Sequence, residues 1–353
     1  MLRCILLAKN GLGTTYPNPL VGCVIVHNNK IIGEGWHQQA GMPHAEVNAI
    51  KSVKDETLLK EATIHVSLEP CSHFGKTPPC ANLIIEKGIK NVVIGSLDPN
   101  PKVAGKGIQL LKDAGCNVIE GVLEKECNTL NKRFFTFHLK KRPYIILKWA
   151  ETSDGFIAPI KDKNNRLPHL EKNEIRKDAA PIWITNKISR QLVHKWRAEE
   201  QAILVGTKTV IEDNPNLTTR DWEGNSPIRI VIDRTLRIPN NTSVLDGKIS
   251  TIIITEKEAI NKENLFFETI NFSKNITSQI CDILYRYKIQ SVIIEGGSKT
   301  IQTFIDANLW DEARVFFTGN VIFKEGTKAP IIKETITSEE RIKDDTLKIF
   351  GND

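Results

Sequence analysis

The sequence predicts an α/β protein built as two domains, and three observations carry that expectation. The chain has 353 residues, long for one compact domain and comfortable for two. Strand-like and helix-like segments alternate through both halves, the pattern of three packed layers. A basic, polar hinge, "HLKKRPY", separates the two series. The boundaries expected are residues 1–141 and 142–353.

The elements follow in order. Leu2, Ile5, Leu6 and Ala8 are spaced for a short amphipathic helix, and no small-residue cleavage site follows them as a signal peptide would need. "LVGCVIV" and "KIIGEGW" read as strands joined by the turn "HNN", and "AEVNAIKSV" as a helix. "ATIHVSL" is a strand, and "CANLIIEKG" a helix closed by Gly88. "NVVIGSL" is a strand, "GIQLLKDAG" a helix closed by Gly115, and "CNVIEGV" a last strand. "YIILKWA" opens the second series. The polar stretch from Lys161 to Lys177 reads as an exposed insertion. Then come helix "ISRQLVHKWRAEE", strands "QAILVG", "PIRIVID" and "STIIIT", helix "SQICDILYRY", strand "SVIIEGG" and helix "TIQTFIDA".

Composition excludes several classes. Hydrophobic content of 40% and charged content of 25% are those of an ordinary globular protein. A net charge of +6 suits a phosphorylated small molecule, but no Lys/Arg block supports a nucleic-acid arm. No apolar run approaches the roughly 20 residues that span a bilayer. The 7 cysteines are odd in number and scattered, which argues against a disulfide framework and for a reducing cytoplasm.

The sharpest signal is chemical. His44 and Glu46 stand at a helix start behind Pro43, and Cys71 and Cys80 follow the strand "ATIHVSL". Zinc takes imidazole and thiolate ligands in a tetrahedral set, and a catalytic site supplies three of them and leaves one place for water. Helix starts favour the thiolate form. A carboxylate beside the water, and off the metal, can collect its proton and hand it to a leaving amine. That is hydrolytic deamination, whose zinc enzymes carry an H-x-E…P-C-x-x-C signature. Here eight residues separate the cysteines, not two. A closed structural site with His65 or His73 as fourth ligand is the alternative, although such a site has no use for Glu46.

In the second half no Gly-x-Gly-x-x-Gly occurs, so the usual dinucleotide fingerprint is absent. "EGGSKT" follows a strand and opens a helix, where Gly296 and Gly297 let backbone amides approach an anion; a plain tight turn reads the same way. "VGTKTVIEDNPNLTTR" presents Asp213, Asn214, Pro215 and Arg220 in a polar loop, or an ordinary connection.

"TTYPNPLVGCVIV", "HAEVNAI", "EPCSHFGKTPPC" and "DPNPKVAGKG" resemble the deaminase half of the bifunctional riboflavin-biosynthesis deaminase/reductases, the RibD/RibG family. The long Cys-x8-Cys interval is characteristic of that family. "KWAETSDGFIA", "WRAEEQAILVGTKTVIEDNPNLTTR", "PIRIVIDR" and "VIIEGG" are similar to its reductase half. The resemblance implies a cytidine-deaminase-like three-layer domain followed by a dihydrofolate-reductase-like domain.

It further implies roles for individual residues. Asn18, His37, Lys76, Asp98 and Asn100 would hold the pyrimidine and ribose phosphate. NADPH would lie against Ala150, Trp183, Thr209, Asp213 and the run Gly297, Ser298, Lys299, Thr300, Ile301, Gln302 and Thr303. The sugar phosphate would meet Arg197, Leu217 and Arg220, with Glu295 near the ribose and Lys148 and Asp154 ordering the sugar. Bland readings stand beside these: Asn18 as a turn residue, Lys76 as a loop charge, His37 as a satisfied strand-end polar group, Trp183 as a core aromatic, Arg197 as a helix-surface cation. The segment from Thr318 to Asp353 departs from the family's apolar-Gly pattern.

The expectation is therefore a zinc- and NADPH-dependent enzyme acting on a pyrimidine ribotide, with no nucleic-acid or membrane partner and with self-association into a homo-oligomer. Two rivals predict different behaviour. A nucleic-acid-editing deaminase needs a basic stripe, which 48 Lys+Arg against 42 Asp+Glu do not favour. A non-catalytic zinc protein has no role for Glu46.

Overall fold

A computed structural model describes residues 1–72, 78–100, 104–160, 183–319 and 321–352. The chain forms two compact units, Met1–Arg142 and Pro143–Asp353.

In the first unit, helix α1 (Leu2–Ala8) precedes the hairpin β1 (Gly22–His27) and β2 (Lys30–Trp36). Asn28 and Asn29 both take positive φ at its turn, the geometry of a two-residue loop. Then follow α2 (Ala45–Ser52), β3 (Thr63–Leu68), α3 (Cys80–Glu86), β4 (Asn91–Ser96), α4 (Lys106–Asp113) and β5 (Asn117–Ile119). The sheet order is β2-β1-β3-β4-β5, with the hairpin side antiparallel and β3, β4 and β5 parallel.

Residue parity decides the layers. Cys23 and Ile25 join Ala49, Ile50, Ala81, Ile84 and Leu111 in the core beneath α2, α3 and α4, whereas Val24 packs on the opposite face with Cys4 and Leu7 of α1.

Two details differ from the sequence reading. The buried side of α1 is Cys4, Ile5, Leu7 and Ala8, while Leu2 and Leu6 are 65% and 55% exposed. The hinge expected at 138–144 begins inside a helix. α5 (Glu124–Leu130) and α6 (Lys132–Lys140) close the unit, and the chain turns at Lys141, which has φ 55°. Lysines and arginines suggested a linker there, but Arg133, Phe134 and Phe137 repeat at helical spacing and are buried.

The second unit opens with β6 (Tyr144–Thr152) and β7 (Phe156–Pro159). The expected insertion at Lys161–Lys177 lies outside the described residues. α7 (Lys187–Glu199), β8 (Ala202–Gly206), α8 (Thr207–Asp213), β9 (Ile228–Ile232) and β10 (Thr251–Thr255) follow, then β11 (Leu265–Thr269) and α9 (Ile276–Arg286). β12 (Ser291–Glu295) and α10 (Ser298–Asp306) lead to β13 (Glu312–Thr318), β14 (Gly326–Lys328), β15 (Ile336–Ile342) and β16 (Asp345–Gly351).

Nine of these strands make one sheet, β11-β10-β9-β8-β12-β6-β13-β16-β15. It is parallel from β11 to β13, and β16 and β15 add antiparallel at the edge. Sequence reasoning missed β11 and the strands after α10. β15, "ITSEERI", is almost wholly exposed and charged, so it lacks the apolar alternation by which strands announce themselves. Ile145, Leu147 and Trp149 of β6 pack into the core that includes α9 and α10 residues. The alternate face takes Val193 and Trp196 of α7, and Lys148 belongs to that face by parity.

Candidate active sites

The first unit's site begins where α2 begins. His44 is its N-cap, in extended backbone (φ −70°, ψ 166°), and Ala45, Ala49 and Ile50 pull the following helix into the core. Cys71 lies just past β3, and Cys80 is the first residue of α3. His44 Nδ1 is 3.6 Å from Cys71 Sγ and 3.3 Å from Cys80 Sγ. All three atoms lie within 4.8 Å of one another.

A tetrahedral ion with Zn–S near 2.3 Å and Zn–N near 2.0–2.1 Å requires an N···S edge of about 3.6 Å. The donor set therefore fits zinc. Among the described residues no carboxylate and no second imidazole joins the three, so His65 is not a fourth ligand; His73 lies outside the described residues.

The electrostatics distinguish the two thiols. The neighbouring Cys80 thiol holds Cys71 below the usual thiol range against the cost of burial, with His44 and the Cys80 N–H assisting. Cys80 is correspondingly pushed up by its neighbour Cys71 and by burial. The hydrogen bond with Cys71 raises His44, burial opposes it, and Glu46 adds to the rise.

Glu46 is 3% exposed on the first turn of α2. Burial pushes its carboxyl up to about 7, the His44 charge opposing and Cys71 adding to the rise. A group poised there exchanges a proton near neutrality in either direction.

His37 is buried beside this group, its ring centroid 5.3 Å from that of His44. Its Nδ1 lies 3.1 Å from the Pro43 carbonyl, which can only accept, so the proton sits on Nδ1. Nε2 then accepts from Asn18 Nδ2 at 3.0 Å. Burial lowers the His37 pKa and keeps it neutral. Asn18 and His37 are thus drawn to the backbone that carries His44. Asp98 is buried, and its Oδ1 accepts from the Asn100 N–H at 2.7 Å. Lys76 lies outside the described residues. One residue to which the sequence reading gave no role is Glu69, which receives the Asp98 N–H. Its signal was an acid at the end of an apolar strand, two residues before a cysteine.

In the second unit, Glu295 of β12 and Lys148 of β6 are register partners. Lys148 Nζ is 3.9 Å from Glu295 Oε1, and Arg197 Nη2, reaching from α7, is 2.8 Å from Oε2. Burial raises the Glu295 carboxyl, but the Arg197 and Lys148 charges outweigh it and the net shift is downward. Burial lowers Lys148, Glu295 opposing and Arg197 adding to the drop. Among the described residues the buried Glu295 Oε1 and Arg197 Nε have no hydrogen-bond partner, and Oε1 meets only the Lys148 charge at 3.9 Å.

Arg197 Nη1 also donates to the Thr218 carbonyl at 3.3 Å, tying α7 to the loop after α8. In that loop Leu217 takes φ 56° and is 2% exposed, packed in the core with Val193 and Trp196. Arg220 is exposed, and its N–H donates to His194 Nδ1 at 3.1 Å. Asp154 is committed elsewhere: it receives the amides of Phe323 and Lys324.

The turn from β12 to α10 is shaped by close approach. Gly296 has φ 92°, and a Cβ there would lie 2.9 Å from Thr209; Gly297, with φ 69°, is the N-cap of α10. The first turn of α10, Ser298 to Thr300, opens behind it. That glycine cradle at a helix start suits a nucleotide phosphate. The Ile301 side chain is fully buried in the core. Gln302 Oε1 takes the Ile331 N–H, and Thr303 Oγ1 bonds the Lys299 carbonyl. Ala150 follows Lys148 by two on the same face of β6, Asp213 ends α8, and Trp183 is half exposed with the Arg190 guanidinium 4.9 Å from its ring.

Residues 1–96 match the cytidine and deoxycytidylate deaminase zinc-binding region, and residues 143–352 match the RibD C-terminal domain. Riboflavin biosynthesis protein RibD of Aquifex aeolicus is 39% identical over 91% of this chain and 86% of its own length. That of Escherichia coli is 40% identical over 91% and 87%. A crystal structure of a diaminohydroxyphosphoribosylaminopyrimidine deaminase/5-amino-6-(5-phosphoribosylamino)uracil reductase from Thermotoga maritima superposes with TM-score 0.86 at 38% identity, covering 100% of this chain and 97% of that one. Acinetobacter baumannii RibD gives 0.84 at 30% identity, covering 99% and 97%. The chain therefore belongs to the RibD family, the bifunctional enzymes of riboflavin biosynthesis that join a zinc-dependent pyrimidine deaminase domain to an NADPH-dependent reductase domain.

Proposed function

We propose that residues 1–141 deaminate 2,5-diamino-6-(5-phosphoribosylamino)pyrimidin-4-one and that residues 142–353 reduce the resulting aminouracil at its ribosyl carbon. The observation that carries the first assignment is the His44, Cys71 and Cys80 triangle, half-buried apart from Cys80, with the buried Glu46 beside it. His44, Cys71 and Cys80 would hold zinc, which when bound acts as a Lewis acid and makes water a nucleophile at neutral pH. Glu46 takes the proton as the water oxygen adds to the amino-bearing carbon. It then returns that proton to the departing nitrogen, so that one water is consumed and one ammonia leaves. Neutral His37, Asn18, Asp98 and Asn100 are assigned to the pyrimidine ribotide, with Lys76 beside its phosphate.

In the second unit Thr209, Asp213, Ala150, Trp183 and the Gly297–Thr300 turn are assigned to NADPH, which when bound supplies hydride to C1′. Residues 301–303 contribute backbone only. Lys148 and Glu295 fix the reacting sugar, and Arg197, Leu217 and Arg220 meet its phosphate, the two arginines by charge. Asp154 shapes the turn it caps. The cytoplasm is the proposed location, supported by seven free thiols. Self-association remains part of this reading, supported by the exposed Leu2 and Leu6. Among the described residues no helix is long and apolar enough to cross a membrane.

The test supplies the diaminopyrimidine ribotide and follows ammonia release and NADPH oxidation together. Both should proceed. Ammonia without NADPH oxidation would remove the assignment of the second unit and leave the first standing.

A further inference from the structure

The Glu69 carboxylate is 4% exposed at the end of β3, where burial of a charge is costly unless hydrogen bonds replace its water. Four backbone N–H groups converge on it. Asp98 (3.3 Å) and Gly105 (2.9 Å) donate to Oε2, and Gly107 (2.9 Å) and Ile108 (3.3 Å) donate to Oε1. The last three belong to the start of α4 and cap it. The Asp98 bond has no part in capping. It reaches into the segment after β4 whose side chains are assigned to substrate.

The same residue is tied to the metal ligands. Cys71 is two positions on, and between them the Pro70 carbonyl lies so close to α4 that a Cβ at Gly107 would stand 2.0 Å from it. Cys71 in turn receives the Cys80 N–H on its sulfur and the Ala81 N–H on its carbonyl. One buried carboxylate therefore joins the backbone of Asp98 to the backbone that presents Cys71.

We propose that Glu69 is a positioning residue of the deaminase site, fixing Asp98 relative to the metal ligands through the Asp98 N–H. The inference rests on the reading of Asp98 as a substrate-binding group. A carboxylate suits the role because it only accepts, through two oxygens with about four lone-pair sites. Glutamine of the same shape turns one oxygen into a donor. It must then face two N–H groups, either the pair from α4 or the pair that includes Asp98.

The test compares Glu69→Gln, Asp98→Ala and the double variant of the full chain, each loaded with zinc, using the diaminopyrimidine ribotide. Zinc content and NADPH oxidation with supplied aminouracil report that the protein is folded. Glu69→Gln should keep its zinc and raise KM on the order of tenfold, with kcat changed far less. Added to Asp98→Ala it should raise KM no further, since the group it positions is already gone. A wild-type KM in Glu69→Gln overturns the proposal, as does a KM rise that multiplies that of Asp98→Ala, which would mark a general structural role. An unchanged KM in Asp98→Ala removes the underlying reading, and the proposal with it. Should Glu69→Gln not fold, Glu69→Asp replaces it with the same expected order, because it keeps the charge but withdraws both oxygens by one methylene.

Discussion

The two units solve the same problem, the burial of ionisable groups beside a reacting molecule, by opposite means. In the first, one imidazole and two thiols cluster beside a buried carboxyl, and the imidazole Nδ1 lies 3.6 and 3.3 Å from the two sulfurs, as ligands of one ion would. In the second, one acid lies between two cations and compensates them in part, leaving the cluster net positive. A site of the first kind is completed by an ion. A site of the second kind carries its own counter-charges as folded, with Glu295 held between Lys148 and Arg197. The difference predicts that the two activities respond separately to the same insults.

Metal removal should have the largest effect. A chelator strong enough to strip zinc, or Cys71→Ser, should abolish ammonia release, while NADPH oxidation with supplied aminouracil continues at its former rate. Zinc added back should restore the chelated protein and leave Cys71→Ser inactive. Loss of both activities on chelation would break the comparison, because it would make the second site metal-dependent too.

Next comes Glu46→Gln, which keeps the side chain's shape and removes its capacity to take a proton. It should retain zinc and lose about 10²-fold or more of the deamination rate, again without touching NADPH oxidation. A variant that keeps zinc and also keeps its rate would place the proton transfer on another group.

How much of this was legible in the sequence follows from the same contrast. Ligands for a metal come from a short menu of residue types, so His44, Cys71, Cys80 and the off-metal Glu46 could be picked out before any geometry was known. The buried ion pairing of Lys148, Glu295 and Arg197 uses residue types that are ordinary on any surface. Nothing in "KWA" or "VIIEGG" states that strand register sets Lys148 against Glu295. Only the family resemblance pointed there. Glu69 had only its place before a cysteine to mark it, since among the described residues its four hydrogen-bond donors are backbone groups and carry no side-chain signal. At the fold level, a helix with one apolar face, as α9, and a strand with a short continuous apolar run buried on both faces, as β12, were readable. β15 and α6 were not, because an edge strand buries little and a lysine-rich helix resembles a linker.

Glu295→Gln sharpens the comparison through pH. The Glu295 carboxyl is held below the ordinary carboxylate range, so the folded state binds its proton less readily than the unfolded state. Its contribution to stability is therefore fully present above the unfolded value, near 4.5, and is lost as pH falls through the lower folded value. At neutral pH the substitution leaves Arg197 and Lys148 buried without their counter-charge, a loss of about 3 kcal/mol. Thermal unfolding of the second unit should show a wide gap between variant and wild type at pH 7. The gap should narrow as the wild type is acidified below pH 4.5. A gap independent of pH would mean that the carboxylate's charge is irrelevant there.

The smallest effect should come from Arg197→Lys, and it separates charge from geometry. Arg197 uses two nitrogens for two tasks, Nη2 on Glu295 at 2.8 Å and Nη1 on the Thr218 carbonyl at 3.3 Å. A lysine keeps the charge, so the pairing with Glu295 and most of the stability should survive. Its single nitrogen cannot span both partners with the planar fork of a guanidinium. The link from α7 to the loop that carries Leu217 and Arg220 should therefore loosen. The expected outcome is a thermal transition within a degree or two of wild type and a KM for the aminouracil ribotide raised by roughly tenfold, the scale of one hydrogen bond to a charged group. Deamination should be unaltered. A large fall in stability with unchanged KM would show instead that the arginine serves the core and leaves the phosphate to Arg220.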